Sequence, residues 1–288
     1  MGMERVLVFG GSGQLGSDIV RCWTGMQVGA PSSAEANVED VAALERAFDT
    51  YAPDIVVNCT AFHNVDRCES EPERAFAVNA LAVEAMAQLC KRRDAVFVTF
   101  STDYVFDGER KHPYAESEVP RPINAYGVSK LAGELLVART NGKTFVVRTC
   151  GVFGTRVSSS KGYTFIDRIV TQARSGEPVR VVSDMVITPS YTAHIAAALR
   201  DLLATQRYGL YHIANEGPVS WYDFAREALR QAGIACAVEP ISYTSWNSAV
   251  RRPAYSALEN ARLHALGIYM PSWQEGISAY LRDKLATP

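Results

Sequence analysis

The sequence RVLVFGGSGQLG, residues 5–16, joins an apolar run to a glycine-rich turn. The run at Arg5–Phe9 predicts a short buried strand, and the apolar residues at 19, 20 and 23 predict a helix after the turn. Glycine at every third position permits a tight turn and lets the backbone approach a pyrophosphate, which then faces the free N–H groups of the helix. A glycine turn with a purely structural role is the alternative. The candidate cofactor-binding residues here are Gly10, Gly13, Gln14, Leu15 and Gly16.

The next predicted strand, residues 27–30, bears on the choice of cofactor. In proteins that bind NAD, an acidic residue after this strand commonly bonds the ribose 2′-hydroxyl. Here the chain continues with Pro31, Ser32 and Ser33, and no Arg follows to hold a 2′-phosphate. The missing carboxylate favours NADP(H), with NADH as an alternative.

Strands and helices alternate along the first half of the chain. Such alternation is typical of an α/β protein with a doubly wound parallel sheet, a Rossmann-type fold, in which sites lie beyond the carboxyl ends of the strands. The glycine turn and residues 60–63 and 101–104 all follow strands and should therefore line one crevice. The further strands are predicted at 55–59, 95–100 and 145–147, and helices at about 41–51, 73–91 and 126–139.

The regular alternation of strands and helices becomes less clear after Cys150. A short strand is predicted at 179–182, and Ser220 to Asp223 resembles a capping box that opens a helix. We predict a dinucleotide-binding domain over 1–150, to which the chain returns at about 187–215, and a smaller substrate-binding lobe over most of 151–288. The helices of this half are predicted at 163–174, closed by Gly176, at about 192–204, with Thr192 as its cap, at 221–233 and at 273–285.

Composition narrows the class of protein. The 288 residues include 29 basic and 31 acidic side chains, a net charge of −2, so nothing indicates a nucleic-acid or acidic-membrane partner. Six cysteines lack any Cys-x-x-Cys pair, which argues against a zinc site or disulfide framework and is typical of a reducing compartment. No apolar run approaches the length of a membrane span. We expect a cytoplasmic protein without a metal.

Tyr126 and Lys130 have the spacing that puts two side chains on one face of a helix. An ammonium beside a phenol favours the phenolate, so we expect Lys130 to lower the pKa of Tyr126. The phenol could then act as a general acid or base toward a carbonyl or alcohol. Two unrelated surface residues are the alternative, because this motif by itself is a weak signal.

Several segments together resemble the dTDP-4-dehydrorhamnose reductase family of the extended short-chain dehydrogenase/reductase superfamily. The resemblance covers nearly the whole chain. It implies hydride transfer from NADPH to C4 of a dTDP-4-keto-6-deoxyhexose, a nucleotide-sugar substrate. The matching segments are VDRCESEP (65–72), STDYVFDG (101–108), YGVSKLAGE (126–134), Arg148-Thr149, TPSY (188–191) and Arg252-Pro253 with Ser256 and Leu258.

The resemblance assigns a role to each matching residue. Thr102, Tyr126 and Lys130 would form the catalytic group, with Tyr126 as the proton donor, Thr102 bonding the carbonyl oxygen, and Lys130 also holding the nicotinamide ribose. Thr60 and Ala61 would contact the cofactor, and Asn37 and Val38 would lie near its adenine. The substrate-side residues implied are His63, Val65, Thr102, Tyr104, Tyr126 and Arg252.

Each assignment has a structural alternative. Val65 and Tyr104 could simply pack, His63 could cap a loop, and Thr102 could satisfy backbone groups at a strand end. Arg252 could bind a nucleotide phosphate through its guanidinium fork or form a surface salt bridge. Asn79, inside a helix, could hold a structural water or cap a backbone kink.

One position departs from the resemblance. Where the family commonly places an aromatic residue against the sugar, this chain has Gly151, so the hexose could differ from the rhamnose precursor. Some relatives bridge dimers through glutamate-bound magnesium; we identify no such ligands in this sequence and predict no metal, and a homodimer is one candidate assembly. Two other functions remain as alternatives. One is an epimerase or dehydratase with tightly bound NAD, and the other is an NADP-binding regulatory subunit like that of methionine adenosyltransferase.

Overall fold

A six-stranded parallel sheet forms the centre of the molecule. The computed structural model describes residues 4–140, 142–156, 162–245 and 250–286. The sheet confirms the predicted α/β fold, and its strands pair in parallel throughout. In spatial order they are β2 (Gln27–Gly29), β1 (Arg5–Phe9), β3 (Ile55–Asn58), β4 (Val96–Thr102), β5 (Thr144–Thr149) and β10 (Gly209–His212).

The helices connect these strands and build the C-terminal half. Among the described residues, three short strand pairs lie outside the main sheet. The helices are α1 (Gln14–Cys22), α2 (Val41–Tyr51), α3 (Val65–Ser70), α4 (Pro72–Phe76), α5 (Ala82–Arg92), α6 (Ala125–Thr140), α7 (Phe165–Ser175), α8 (Thr192–Thr205), α9 (Trp221–Gln231), α10 (Ala261–His264) and α11 (Trp273–Ala286). The paired strands are β6 (Val152–Phe153) with β9 (Ser190–Tyr191), β7 (Val179–Val182) with β12 (Val238–Ile241), and β8 (Val186–Ile187) with β11 (Val219–Ser220).

Alternate residues of β1 pack on opposite faces of the sheet. Val6 and Val8 belong to an apolar cluster with side chains of α1 and α8, whereas Leu7 and Phe9 pack with α2, α5 and α6. Successive side chains of a strand point to opposite faces of the sheet. A strand that is buried on both faces therefore has a continuous apolar sequence. This explains why the first strand could be recognised from sequence.

The strand order reverses between β1 and β3. Such a switch point opens a crevice at the carboxyl ends of the strands, where ligands of doubly wound proteins bind. Gly10 leaves β1 with φ +77°, and a Cβ on it would lie 3.0 Å from the Cys59 carbonyl carbon and 3.1 Å from Thr60 N. A side chain on Gly16 would collide with Gly10 O. The glycine turn therefore lies directly against the turn that follows β3.

The predicted helix over 73–91 contains an irregularity that the sequence analysis missed. A single π-helical turn, Ala77–Leu81, separates α4 from α5. Asn79 in this turn is buried, and its side chain bonds both Phe62 N and Phe62 O at 2.9 Å. The helix therefore widens at the residue whose side-chain amide bonds the backbone of another segment of the chain.

The C-terminal half has an apolar cluster of its own, built from α7, α9, α11 and neighbouring short strands. The Ser220 hydroxyl caps α9 by accepting from Asp223 N at 3.0 Å, and α7 ends at Gly176 with φ +75°, both as predicted. Strand β10 joins the main sheet beside β5. The division into 1–150 and 151–288, with a return at about 187–215, stays a prediction.

Thr192 was expected to cap α8, and this is wrong. The helix begins at Thr192 itself, with Tyr191 as the preceding residue, and the Thr192 hydroxyl donates to the buried Asp18 carboxylate instead. This bond ties α8 to α1. Within the described ranges, no helix is both long and apolar enough to cross a membrane.

Candidate active site

Thr102 is the last residue of β4, at the carboxyl edge of the sheet. Its Oγ1 donates to Asp103 Oδ1 at 3.0 Å and accepts from Tyr104 N at 3.2 Å. A threonine hydroxyl has one proton, which Asp103 accepts here. Bonding a substrate carbonyl therefore requires the hydroxyl to rotate away from Asp103. The structural alternative predicted for Thr102 is also present, because its hydroxyl accepts from the Tyr104 backbone N–H at the end of the strand.

Tyr126 and Lys130 lie on the first two turns of α6. The Thr102 side chain lies close enough to the phenol of Tyr126 to lower its pKa, and the Tyr104 ring meets the Tyr126 ring edge-on at 5.8 Å. The Lys130 side chain is buried. The fold thus brings Thr102 and Tyr126 together, with Lys130 one helical turn away.

The expected lowering of the Tyr126 pKa is not found. Burial raises this pKa above its ordinary value because a dry environment disfavours the phenolate, and the nearby Thr102 side chain offsets only part of the rise. Burial also lowers the pKa of Lys130 to about 8, although Glu134 and Cys68 oppose this shift. Helical spacing predicts that Tyr126 and Lys130 lie on one face of the helix, but it does not show that the phenol and the ammonium are both buried.

Asp103 is a buried carboxyl next to the candidate catalytic residues, and the sequence analysis gave it no role. Burial raises its pKa to about 6, while the neighbouring Ser256, Cys150 and Thr102 side chains act in the opposite direction. Two nearby buried hydroxyls, Ser101 Oγ and Thr149 Oγ1, have no hydrogen-bond partner among the described residues. The carboxyl ends of β4 and β5 thus contain buried hydroxyls whose hydrogen-bonding capacity is unused among the described residues.

The N-terminus of α6 is fixed by two side chains. Asn124 Oδ1 accepts from Gly127 N at 2.9 Å, and Glu69 Oε2 on α3 accepts from Ala125 N at 2.9 Å. A carboxylate at a helix N-terminus satisfies an orphan donor and interacts favourably with the helix dipole. Helix α3 therefore holds the turn that carries Tyr126.

Glu69→Ala is expected to lower the free energy of unfolding by about 1 kcal/mol, the usual effect of losing a helix cap. Urea denaturation measures this change. Glu71→Ala is the matched control, because Glu71 lies one residue beyond the same helix and contributes only exposed ion pairs with Arg67 and Arg74. Equal stability losses in the two variants would contradict the capping role.

Two buried contacts hold the rest of α6 against the molecule. The Ser129 hydroxyl accepts from Asn79 Nδ2 at 3.0 Å and donates to Tyr126 O at 2.8 Å. Farther along the helix, Glu134 forms a bidentate ion pair with Arg148 of β5. Arg148 Nε donates to Glu134 Oε1 at 2.9 Å, and Nη2 donates to Oε2 at 2.6 Å. Asn79 thus links the turn after β3 to the helix segment between Tyr126 and Lys130.

The candidate cofactor residues converge on the switch point. Helix α1 begins after Gly13 without a side-chain cap and has no acidic residue in its first turn. Its N–H groups therefore fit a phosphate group. Thr60 is held by Asn58 Oδ1, which accepts from its N at 3.0 Å and from its Oγ1 at 2.6 Å. Gln14 begins α1, Leu15 packs against the sheet, and Ala61 follows Thr60.

The region after β2 contains a carboxylate that the sequence analysis missed. Glu35 Oε2 accepts from both Ser32 N and Ser32 Oγ at 2.8 Å, which lowers the pKa of the carboxyl. For binding of NAD, an acidic residue was expected near Ser32, at the end of the second strand. Glu35 lies three residues farther along the chain, and its carboxylate bonds back to Ser32. Asn37 is exposed, whereas the Val38 side chain belongs to the apolar cluster under the sheet. Only the backbone of Val38 could face an adenine.

The substrate-side candidates surround the start of α3. His63 is exposed, with Nδ1 3.3 Å from Ala61 O, and Val65 is the first residue of α3. Tyr104 is partly buried and contacts Tyr126. Arg252 forms a salt bridge with Asp66 at 2.9 Å, although its own side chain is only 9% exposed. The alternative of a salt bridge is thus present, although its Arg252 side is largely buried beside Tyr104.

Gly151 follows β5 with a left-handed backbone, φ +53°. A Cβ there would lie 2.8 Å from Ile187 Cδ1 and 3.1 Å from Pro189 Cα, and Ile187 is itself buried. Restoring an aromatic side chain therefore requires the segment 187–189 to move. The departure from the family pattern is built into the backbone and its neighbours.

Gly151→Ala is expected to lower the free energy of unfolding by about 1–3 kcal/mol, because both the backbone conformation and the contact with Ile187 resist a side chain. Gly25→Ala is the control, since Gly25 also has positive φ, +91°, but has nothing within 4 Å of an added Cβ. Calorimetric melting compares the two variants. A smaller loss for Gly151→Ala than for Gly25→Ala would contradict the steric explanation.

The described residues contain no cluster of three or more His, Cys, Asp or Glu side chains that could hold a metal ion. All six cysteines are free thiols. The candidate site thus consists of hydroxyl, ammonium and carboxyl groups around a glycine-lined crevice.

Comparison with known proteins identifies the family. Residues 3–285 match a family model described as the RmlD substrate binding domain. The dTDP-4-dehydrorhamnose reductase of Burkholderia thailandensis is 35% identical over 98% of this chain and 99% of its own length. The dTDP-4-keto-6-deoxy-D-glucose reductase of Streptomyces niveus is 33% identical over 88% of both chains.

A solved structure of similar fold extends this result. The dTDP-4-dehydrorhamnose reductase of Bacillus anthracis, in complex with NADP, superimposes with a TM-score of 0.93. It is 31% identical in sequence, and the match covers 98% of this chain and all of that one. The chain therefore belongs to the dTDP-4-dehydrorhamnose reductase family.

Proposed function

We propose that this chain is an NADPH-dependent oxidoreductase that reduces the C4 keto group of a dTDP-4-keto-6-deoxyhexose. The substrate is dTDP-4-dehydrorhamnose, which gives dTDP-L-rhamnose, or the precursor of a related deoxysugar. The observation that carries the proposal is the placement of the Thr102 hydroxyl, at the carboxyl end of β4, beside the phenol of Tyr126, with Tyr104 in contact with both residues. Two hydroxyls side by side can both bond one carbonyl oxygen, where negative charge develops during reduction.

The proposed mechanism divides the work between cofactor and protein. NADPH, when bound, supplies the hydride. Thr102 rotates from Asp103 toward the carbonyl oxygen and donates its proton in a hydrogen bond, while Tyr126 transfers its proton to the forming alkoxide. The high pKa of Tyr126 keeps the phenol protonated before the reaction. Lys130, adjacent on the helix, orients the nicotinamide ribose and stabilises the phenolate that proton transfer leaves behind.

NADPH as the cofactor is supported by the family and by the NADP complex of the Bacillus anthracis relative. The uncapped N-terminus of α1 fits the pyrophosphate. Glu35 holds the Ser32 backbone at the end of β2, where a carboxylate can also bond a free ribose 2′-hydroxyl. The proposal therefore includes NADH as a second, usable cofactor.

The test is NADPH oxidation, followed by absorbance, with dTDP-4-keto-6-deoxyglucose in the presence and absence of the 3,5-epimerase that makes dTDP-4-dehydrorhamnose. Oxidation only with the epimerase supports the rhamnose-type substrate. Oxidation without it indicates the unepimerised sugar and gives the altered pocket wall at Gly151 a functional meaning. Absence of oxidation in both reactions would contradict the proposed activity.

The same samples separate the alternative functions. An epimerase or dehydratase retains NAD through purification, so cofactor released on denaturation would favour that class. A regulatory subunit would bind NADP stably, associate with another protein and reduce no keto-sugar. The proposal predicts cofactor that exchanges freely and turnover in the absence of a partner.

A cytoplasmic location and a homodimer are further parts of the proposal. Six free thiols are typical of a reducing compartment, which supports the location. Light scattering coupled to size-exclusion chromatography measures the mass in solution. A mass near 31.5 kDa, that of one chain, would contradict the homodimer.

A further inference from the structure

The salt bridge between Asp66 and Arg252 joins distant parts of the chain over the candidate site. Asp66 lies on α3, directly after the turn that follows β3, while Arg252 belongs to the C-terminal segment. Arg252 Nη2 donates to Asp66 Oδ2 at 2.9 Å. The charge of Arg252 also acts on the phenol of Tyr104, whose ring contacts Tyr126. Arg252 therefore lies beside the ring that contacts the proposed proton donor.

The two partners differ sharply in exposure. The Arg252 side chain is 9% exposed and the Asp66 side chain is 61% exposed. A guanidinium withdrawn from water needs a counter-charge or hydrogen-bond acceptors, because its desolvation is costly. An exposed carboxylate regains its hydration when it is released, so it gives up its partner at little cost. Arg252 thus depends on an anion more than Asp66 depends on Arg252.

The remaining contacts of Arg252 keep the guanidinium in place independently of Asp66. Nη1 donates to Val250 O at 3.3 Å, and the Tyr243 side chain lies close enough to the guanidinium to raise its pKa. A phosphate could therefore meet Arg252 in its present position and replace the single carboxylate bond with a forked contact. A diphosphate would bring two negative charges to the same point.

We propose that Asp66 is a placeholder anion, which neutralises Arg252 when the site is empty and competes with the diphosphate of the nucleotide-sugar for that guanidinium. This inference rests on the proposed function, which supplies the diphosphate. Asp66 therefore sets the nucleotide affinity of the site and selects for ligands with enough negative charge to displace it. It takes no part in hydride or proton transfer.

The test is calorimetric titration of the full chain with dTDP, comparing wild type with Asp66→Asn. Asparagine keeps the shape and an acceptor oxygen but removes the competing charge. Binding of dTDP is expected to tighten by about three- to tenfold, the size expected for one partly screened charge. The gain should shrink as the salt concentration rises.

Two controls isolate the contact. Glu71→Gln removes a charge next to the same helix, where it pairs with Arg67, and is expected to change dTDP affinity by less than about twofold. In an Arg252→Gln background, Asp66→Asn is expected to have no effect, because the competition has lost its target. An equal gain in both backgrounds would mean a general charge effect and would overturn the proposal.

The outcomes separate this inference from the proposed function. Binding of dTDP that Asp66→Asn weakens or leaves unchanged would overturn the placeholder role alone, since Asp66 would then only support Arg252. Failure of dTDP to bind wild type and every variant would overturn the proposed substrate class, and this inference with it. Tighter binding that requires Arg252 is the expected result.

Discussion

Replacing Tyr126 with Phe is expected to lower kcat by about 100- to 10,000-fold, the usual contribution of a positioned proton donor. The substitution removes only the hydroxyl that would protonate the forming alkoxide. The ring remains to pack edge-on against Tyr104. NADPH affinity should change by less than about threefold, because the glycine turn and α1 are unaffected. Single-turnover kinetics and a fluorescence titration with NADPH measure the two effects.

A matched variant controls for the loss of a tyrosine hydroxyl. Tyr269→Phe removes the same group from a side chain that is 71% exposed, and it should leave turnover unchanged. Near-normal turnover of Tyr126→Phe would reject Tyr126 as the donor. Loss of both turnover and NADPH binding would instead indicate that the substitution damages the fold of the site.

Lys130→Met is expected to abolish most turnover and yet stabilise the cofactor-free protein. Burial lowers the pKa of Lys130 from 10.5 to about 8, which corresponds to roughly 3 kcal/mol against the charged form. Methionine has a similar length and carries no charge to desolvate. The free energy of unfolding at pH 7 should therefore rise by up to about 3 kcal/mol.

The pH dependence fixes the sign of this prediction. Between about pH 8 and 10.5 the unfolded chain binds the Lys130 proton more readily than the folded chain, so wild-type stability gains from rising pH. Below about pH 8 the full cost of the buried charge is present. The advantage of Lys130→Met should be largest there and should shrink as the pH approaches 10.5.

Urea denaturation across this pH range, with Lys143→Met as the control, tests the prediction. Lys143 is 43% exposed and pairs with Asp94 on the surface, so its replacement should change stability little at any pH. A Lys130→Met variant that is less stable than wild type at pH 7 would mean that the ammonium has a stabilising partner in the folded chain.

Local patterns were sufficient to predict the sheet and the glycine turn. The strand at Arg5–Phe9 is buried on both faces, and Gly10 and Gly16 lie where their backbones must touch neighbouring segments. Burial of a strand and close backbone contacts restrict which residue types are allowed at these positions, so they can be recognised in the local sequence. The same holds for the Ser220 cap of α9, whose partner is three residues away.

The features that were missed depend on contacts between distant residues. Glu69 caps a helix 56 residues later, and Asn79 widens its own helix to reach Phe62 and Ser129. Nothing in the spacing near Glu69 or Asn79 indicates such partners. The pKa of Tyr126 was predicted with the wrong sign for a related reason, because the desolvation of a side chain is a property of the folded molecule.

Transfer of deuterium tests the proposed reaction most directly. The enzyme would be given NADPH deuterated at the transferable position of the nicotinamide, together with the dTDP-4-keto-6-deoxyhexose that supports oxidation, and the product sugar would be examined by mass spectrometry and NMR. One deuterium is expected on C4 of a dTDP-6-deoxyhexose, in amounts equal to the NADPH oxidised. A product without deuterium, or with deuterium on another carbon, would contradict it.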